Sequence, residues 1–164
     1  MILLAIGANL PSQRFGSPRS TCEAALQALA ARGIHVVRRS RWYRSPPEPP
    51  SAQPDYVNGV AAVETALAPT ALLAELHRIE AAFGRVRSTA NAARTLDLDL
   101  IAYNDCVSDG RDGGPLLPHP RLAERAFVLV PLCEIAPAWR HPVSGRTLGE
   151  LLAALPGEAE AEPL

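Results

Sequence analysis

The sequence predicts an α+β fold, a βαββαβ sandwich on an antiparallel sheet with a C-terminal helical extension. Two observations predict it. Short strand-like runs, of which 55–65 and 94–101 alternate apolar and polar residues, are separated by two apolar stripes at helical spacing. Each stripe opens at a proline and stops at a glycine, the usual punctuation of a helix. The composition suits one domain, because 164 residues with 48% hydrophobic and 20% charged side chains can bury a sizeable core.

Residues 2–6, Ile-Leu-Leu-Ala-Ile, are wholly apolar and end at Gly7-Ala8-Asn9, which predicts a buried central strand and a tight loop. Ser17-Pro18 reads as N-cap and first helical residue, with Cys22, Ala25, Leu26 and Leu29 on one stripe and Gly33 as the stop. Residues 34–44 are rich in β-branched and aromatic types and predict a second strand with an arginine-bearing face. The prolines of Ser45-Pro46-Pro47-Glu48-Pro49-Pro50-Ser51 remove amide donors and fix φ, so this is a semi-rigid loop suited to a pocket wall. In the third strand, 55–65, Tyr56 and Asn58 share one face while Val57, Ala61 and Val63 share the other.

Pro69 opens the second helix, whose Leu72, Leu73, Leu76, Ile79 and Phe83 form a stripe flanked by His77 and Glu80 and ended by Gly84. In the fourth strand Leu96, Leu98 and Leu100 face a core while Asp97, Asp99 and Ile101 face away. This order is the ferredoxin-like arrangement, with both helices on one sheet face and the other face free for ligands. A Gly/Asp-rich loop at 104–115, an apolar segment from Arg125 to Ile135 and a short helix at 147–155 follow, and the acidic tail from about 157 is expected to fray. No repeat or boundary divides residues 1–164, which predicts a single domain.

Charge and residue usage exclude several functions. The net charge of −1 does not indicate a nucleic-acid partner. All 16 basic residues are arginine, which rules out a P-loop lysine, a Schiff-base lysine and the strand lysine of protein kinases. Cys22, Cys106 and Cys133 are odd in number and contain no C-x-x-C pair, so they predict reduced thiols rather than a disulfide framework or zinc site. No apolar run approaches the ~20 residues that cross a bilayer. A cytoplasmic monomer without membrane contact is the resulting expectation.

Asp97 and Asp99 are the strongest chemical feature. Two residues apart on a strand, ~6.5–7 Å along the chain, their carboxylates can converge on one cation or two neighbouring ones. Hard oxygen donors suit Mg²⁺, which completes its shell with water and substrate phosphates. Two acids on a polar strand face are also commonly just solvated, and so is Glu80, the third carboxylate in reach. Arg85, Arg87, Arg94, Arg121 and Arg125 surround the acids in sequence and match the wiring of a polyphosphate site. Tyr56, Asn58, Phe127 and the proline loop can hold a flat heterocycle, though core packing is the commoner fate of a residue such as Phe127 and suits Tyr56 equally. His119 lies between two prolines among these arginines. On the residues alone, a Mg²⁺-dependent nucleotide transferase, a phosphohydrolase and a stacking RNA module all remain.

The motifs Tyr43-Arg44-Ser45-Pro46-Pro47, Asp55-Tyr56-Val57-Asn58, Gly84-Arg85-Val86-Arg87, Arg94-Thr95-Leu96-Asp97-Leu98-Asp99 and Leu117-Pro118-His119-Pro120-Arg121, with Arg125-Ala126-Phe127, run in order along the chain. Together they closely resemble the 6-hydroxymethyl-7,8-dihydropterin pyrophosphokinases. The resemblance implies a ferredoxin-like enzyme of folate biosynthesis that uses ATP and two Mg²⁺ ions and releases AMP. It implies that Asp97 and Asp99 are the metal ligands and, with Arg85 and Arg94, the catalytic residues. Ser45, Pro47, Glu48, Tyr56, Asn58 and Phe127 would bind the pterin, while His77, Glu80, Arg87, Leu100, His119 and Arg125 would bind ATP. Residues 88–93 depart from the family pattern, lacking the Trp and Pro often found before the arginine.

Overall fold

The first strand, β1 (Ile2–Ala8), is apolar throughout because helices cover both sides of the sheet it centres. The structure, a computed structural model, describes residues 1–84, 95–157 and 160–164. Helix α1 (Pro18–Ala31) starts as its sequence requires: the Ser17 Oγ accepts from the Ser20 N–H, with proline in the first turn.

The strand expected over 34–44 is broken into β2 (His35–Arg39) and β3 (Tyr43–Ser45), both paired to β4 (Tyr56–Glu64). Long-range contacts cause the break. At Ser40 the N–H donates to the Val60 carbonyl at 2.9 Å, and the Oγ, not a backbone carbonyl, accepts from the Val60 N–H at 3.0 Å. Trp42 then lays its ring over Gly59, held by an Nε1–H bond of 2.7 Å to Glu23 Oε1. A Cβ at Gly59 would lie 2.7 Å from two ring carbons. Gly59→Ala is therefore expected to destabilise the fold by about 1–3 kcal/mol through overpacking. An unchanged denaturation midpoint for this variant would show that the indole moves aside freely.

Helix α2 (Pro69–Ala82) returns the chain to β5 (Asp97–Tyr103), which pairs with β1. The sheet order β5-β1-β4-β3, antiparallel at every junction, is the expected ferredoxin-like one. Cys22, Leu29, Leu72, Leu76 and Ile79 of the two helices bury one face against Leu4, Ile6, Leu98 and Leu100. The Gly/Asp-rich loop carries a small hairpin of β6 (Ser108–Asp109) and β7 (Leu116–Leu117).

The opposite face is not left free, as the helix placement alone predicted. Helix α3 (Ala126–Ile135) is apolar nearly all round and so must be buried. With α4 (Leu148–Ala153), which starts at a Thr147/Glu150 capping box, it covers Leu3, Val60, Ala62, Ile101 and Ala102. A register shift between β1 and β5 at Leu3/Leu4 accompanies the turning of Ile101 into this second core. The tail expected to fray instead ends in β8 (Glu162–Pro163), which pairs with β3, and the Leu164 N–H bonds the Trp42 carbonyl at 3.0 Å. An unpaired β3 edge is what the tail satisfies. What α3 leaves open on this face is one end of the sheet.

Candidate active site

The floor of the open end is β1. Ala5 and Gly7 point to this face, and the ladder sets Ala5 opposite Asp99 and Val60, and Gly7 opposite Asp97 and Asn58. Small residues here leave space that larger ones would fill: a Cβ on Gly7 would lie 2.7 Å from Asn58 Oδ1. The result is a cleft of about 850 Å³, counting its open mouth. Asp97 and Asp99 form one wall, Tyr56 and Asn58 the other, and the proline loop, His119, Arg125 and Phe127 close the sides.

Asn58 is buried, and its Nδ2–H donates to Ser45 Oγ at 2.5 Å. That bond fixes the amide with its acceptor oxygen over Gly7. Ser45 lies opposite Tyr56 in the β3–β4 ladder, so one register places Ser45, Tyr56 and Asn58 together. Pro47 is buried and Glu48 exposed in the adjoining loop. Phe127 lies in the first turn of α3, with the Arg125 guanidinium 5.3 Å from its ring centre.

Arg125 joins the aromatic side to the acidic side. Its Nη1 lies 3.8 Å from Asp99 Oδ2, while its Nε is buried without a hydrogen-bond partner. Burial works against the guanidinium charge and Asp99 supports it, with a net downward shift of its pKa. His119 is docked by its N–H to the Ile101 carbonyl at 2.8 Å. Its pKa is pushed down to about 4, first by burial and next by the Arg125 charge, against the pull of Asp97. The ring is therefore neutral at pH 7. Nδ1 accepts from the Arg121 N–H at 3.1 Å, which leaves Nε2–H as the donor.

The structure thus gathers Ser45, Pro47, Glu48, Tyr56, Asn58, Asp97, Asp99, His119, Arg125 and Phe127 around one cleft. Arg85, Arg87 and Arg94 lie outside the described residues. His77, on α2, is exposed and does not line the cleft. Leu100 commits its side chain to the first core, which leaves a ligand only its backbone. Arg121 is at the surface, 3.6 Å from Glu124.

Glu80 is also away from the cleft lining. It is 1% exposed, and its Oε2 accepts the Leu98 N–H at 2.9 Å between the two aspartates. The carboxylate thereby completes the outer edge of β5, a link between α2 and the acidic strand that helical periodicity cannot reveal. Glu80→Ala is expected to cost about 1–3 kcal/mol by stranding a buried donor. Urea denaturation measures this, and an unchanged midpoint would refute it.

Sequence reasoning passed over Ala5 and Gly7. Their signal was the register: on the strand face that begins with Leu3, Ala5 and Gly7 are small and stand opposite the two aspartates.

Comparison with known proteins adds the family. The model of the 7,8-dihydro-6-hydroxymethylpterin-pyrophosphokinase family matches residues 3–137. A 2-amino-4-hydroxy-6-hydroxymethyldihydropteridine pyrophosphokinase of Pseudomonas aeruginosa is 43% identical over 160 residues, covering 96% of this chain and 93% of its own. The protein of that name from Synechocystis sp. is 42% identical over 151 residues, 92% of this chain and 73% of its own. A crystal structure of a Plasmodium falciparum HPPK-DHPS triple mutant with SDX-DHP superposes with a TM-score of 0.69 at 13% identity. That match covers 93% of this chain but 43% of the other, and what it shows is the shared fold.

Proposed function

The chain belongs to the 7,8-dihydro-6-hydroxymethylpterin-pyrophosphokinase family of folate biosynthesis, and on that premise we propose how its cleft moves pyrophosphate from ATP to the pterin alcohol. The hydroxymethyl oxygen attacks Pβ, the bond from Pβ to the α,β-bridging oxygen breaks, AMP departs, and the hydroxyl proton is released. The observation that carries this reading is a single one. Two carboxylates, a buried arginine Nε with no acceptor, and two aromatic side chains share one end of one sheet face.

In this reading Tyr56 and Phe127 hold the pterin ring between them. The Asn58 amide, oriented by Ser45, and the backbone at Pro47 and Glu48 read its edge. Arg125 and the neutral His119 donate to phosphate oxygens, since a buried guanidinium Nε favours an anionic acceptor. Arg85 and Arg94 are assigned to the charge that develops on the transferred group, and Arg87 to ATP. By family resemblance His77, Glu80 and Leu100 are also assigned to ATP, Leu100 through its backbone and Glu80 indirectly, by holding the Leu98 N–H between the two aspartates.

Asp97 and Asp99 would hold Mg²⁺, and we propose two ions. The donor set fits: two hard carboxylates on a rigid strand, with no group of three or more His, Cys, Asp or Glu among the described residues that would form an all-protein cage. When bound, Mg²⁺ supplies charge neutralisation on the triphosphate and polarises its phosphoryl oxygens. The chain's own task is then to orient the alcohol in line with Pβ and keep water away.

AMP formation by the purified protein, with and without 6-hydroxymethyl-7,8-dihydropterin and with and without a chelator, tests the reading. Pterin-dependent AMP that disappears with EDTA is the expected result. Phosphate or ADP release indifferent to pterin would overturn it in favour of a phosphohydrolase.

A further inference from the structure

Helix α3 carries Phe127 in its first turn and Glu134 in its last, seven residues apart and so nearly on one helical face. Pro131 removes the hydrogen bond that would run back to the Phe127 carbonyl. The helix by itself therefore holds the Phe127 turn less firmly, and its anchors matter more. At the cleft end the anchor is Arg125 with Asp99.

At the far end it is Glu134. Its Oε1 accepts the Arg41 N–H at 2.8 Å, and its Oε2 accepts the Tyr43 hydroxyl at 2.5 Å and the Arg41 Nε–H at 3.3 Å. Arg38 adds a bond of 3.1 Å to the Ile135 carbonyl. Tyr43 is buried, sits opposite Asn58 in the ladder and shares its strand face with Ser45. One carboxylate thus ties the helix bearing Phe127 to the strand bearing Ser45.

We propose that Glu134, through Tyr43 and the Arg41 backbone, is a positioning residue that sets the gap between Phe127 and the Tyr56/Asn58 wall. It acts on the ring-shaped substrate and not on the triphosphate. The inference rests on the pterin reading of the cleft. Its chemistry follows from the geometry: a charged acceptor shared by a phenol and a main-chain amide is stronger and more directional than a neutral one.

The test measures pterin and ATP-analogue dissociation constants for the wild type, Glu134→Gln, Tyr43→Phe and the double variant, with melting temperatures alongside. Glu134→Gln keeps the shape and one acceptor but loses the charge. It is expected to weaken pterin binding about fivefold or more while ATP-analogue affinity stays within about twofold. Because Tyr43 acts through the same carboxylate, the double variant should be no worse than the weaker-binding single one.

A lowered melting temperature with unchanged pterin affinity would reduce Glu134 to a stability role and overturn the proposal. Equal weakening of both ligands would overturn it too. Should Glu134→Gln fail to fold, Tyr43→Phe reads the same coupling. If the wild type bound ATP but no pterin, the underlying assignment of the cleft would be what failed.

Discussion

Asp97→Ala and Asp99→Ala are each expected to lower AMP formation by ~1,000-fold or more while pterin affinity changes little. Removing one preorganised electrostatic stabiliser costs about 100- to 1,000-fold in turnover. A lost metal ligand also weakens the neutralisation of several phosphate charges at once. The two carboxylates stand on β5, opposite Gly7 and Ala5, and the aromatic walls belong to other elements. Both acids are half-exposed, so neither substitution opens a core cavity. Asp99→Ala carries a second effect, because it takes away the carboxylate beside the partly buried Arg125. It should therefore also lower the melting temperature relative to the wild type. Steady-state AMP assays beside calorimetric pterin binding separate these effects. Turnover within tenfold of wild type for either variant would remove the acids from the chemistry.

Phe127→Ala is expected to weaken pterin binding by roughly 5- to 150-fold, the range of ~1–3 kcal/mol measured for stacking a base on an aromatic side chain. The ring sits in the first turn of α3 with its guanidinium neighbour, Arg125, 5.3 Å away. Truncation also removes that cation–π contact, so a smaller loss in ATP affinity, within about threefold, accompanies the pterin effect. Phe127→Tyr should retain most of the affinity, because the stacking surface survives. The alternative from sequence, that Phe127 is simply core packing, makes the opposite forecast: lower stability with pterin affinity intact. Fluorescence titration and thermal unfolding of the same variant decide between them.

Much of this site was legible in the chain itself. Strand alternation put Asp97 with Asp99, and Tyr56 with Asn58, on the faces where the structure has them. Proline and glycine marked both helices of the βαββαβ unit to within a few residues, and Ser17 caps α1 as its type requires. These features are local: side-chain direction in a strand and capping at a helix end depend on residues a few positions apart.

Tertiary structure decided the rest, because it turns on partners distant in sequence. Ser40 and Trp42 break a continuous β-rich run only because Val60 and Gly59 are what they meet. Glu80, a solvated helix residue by its period, is buried because the Leu98 N–H on an edge strand needs an acceptor. The end of the acidic tail, Glu162–Pro163, pairs with β3 because β3 offers an open ladder. The sheet face expected to lie bare is covered by α3, whose all-round apolarity demanded burial without saying where. Periodicity assigns a residue to a face, but only the register between strands and the seating of α3 decide which faces meet across the cleft.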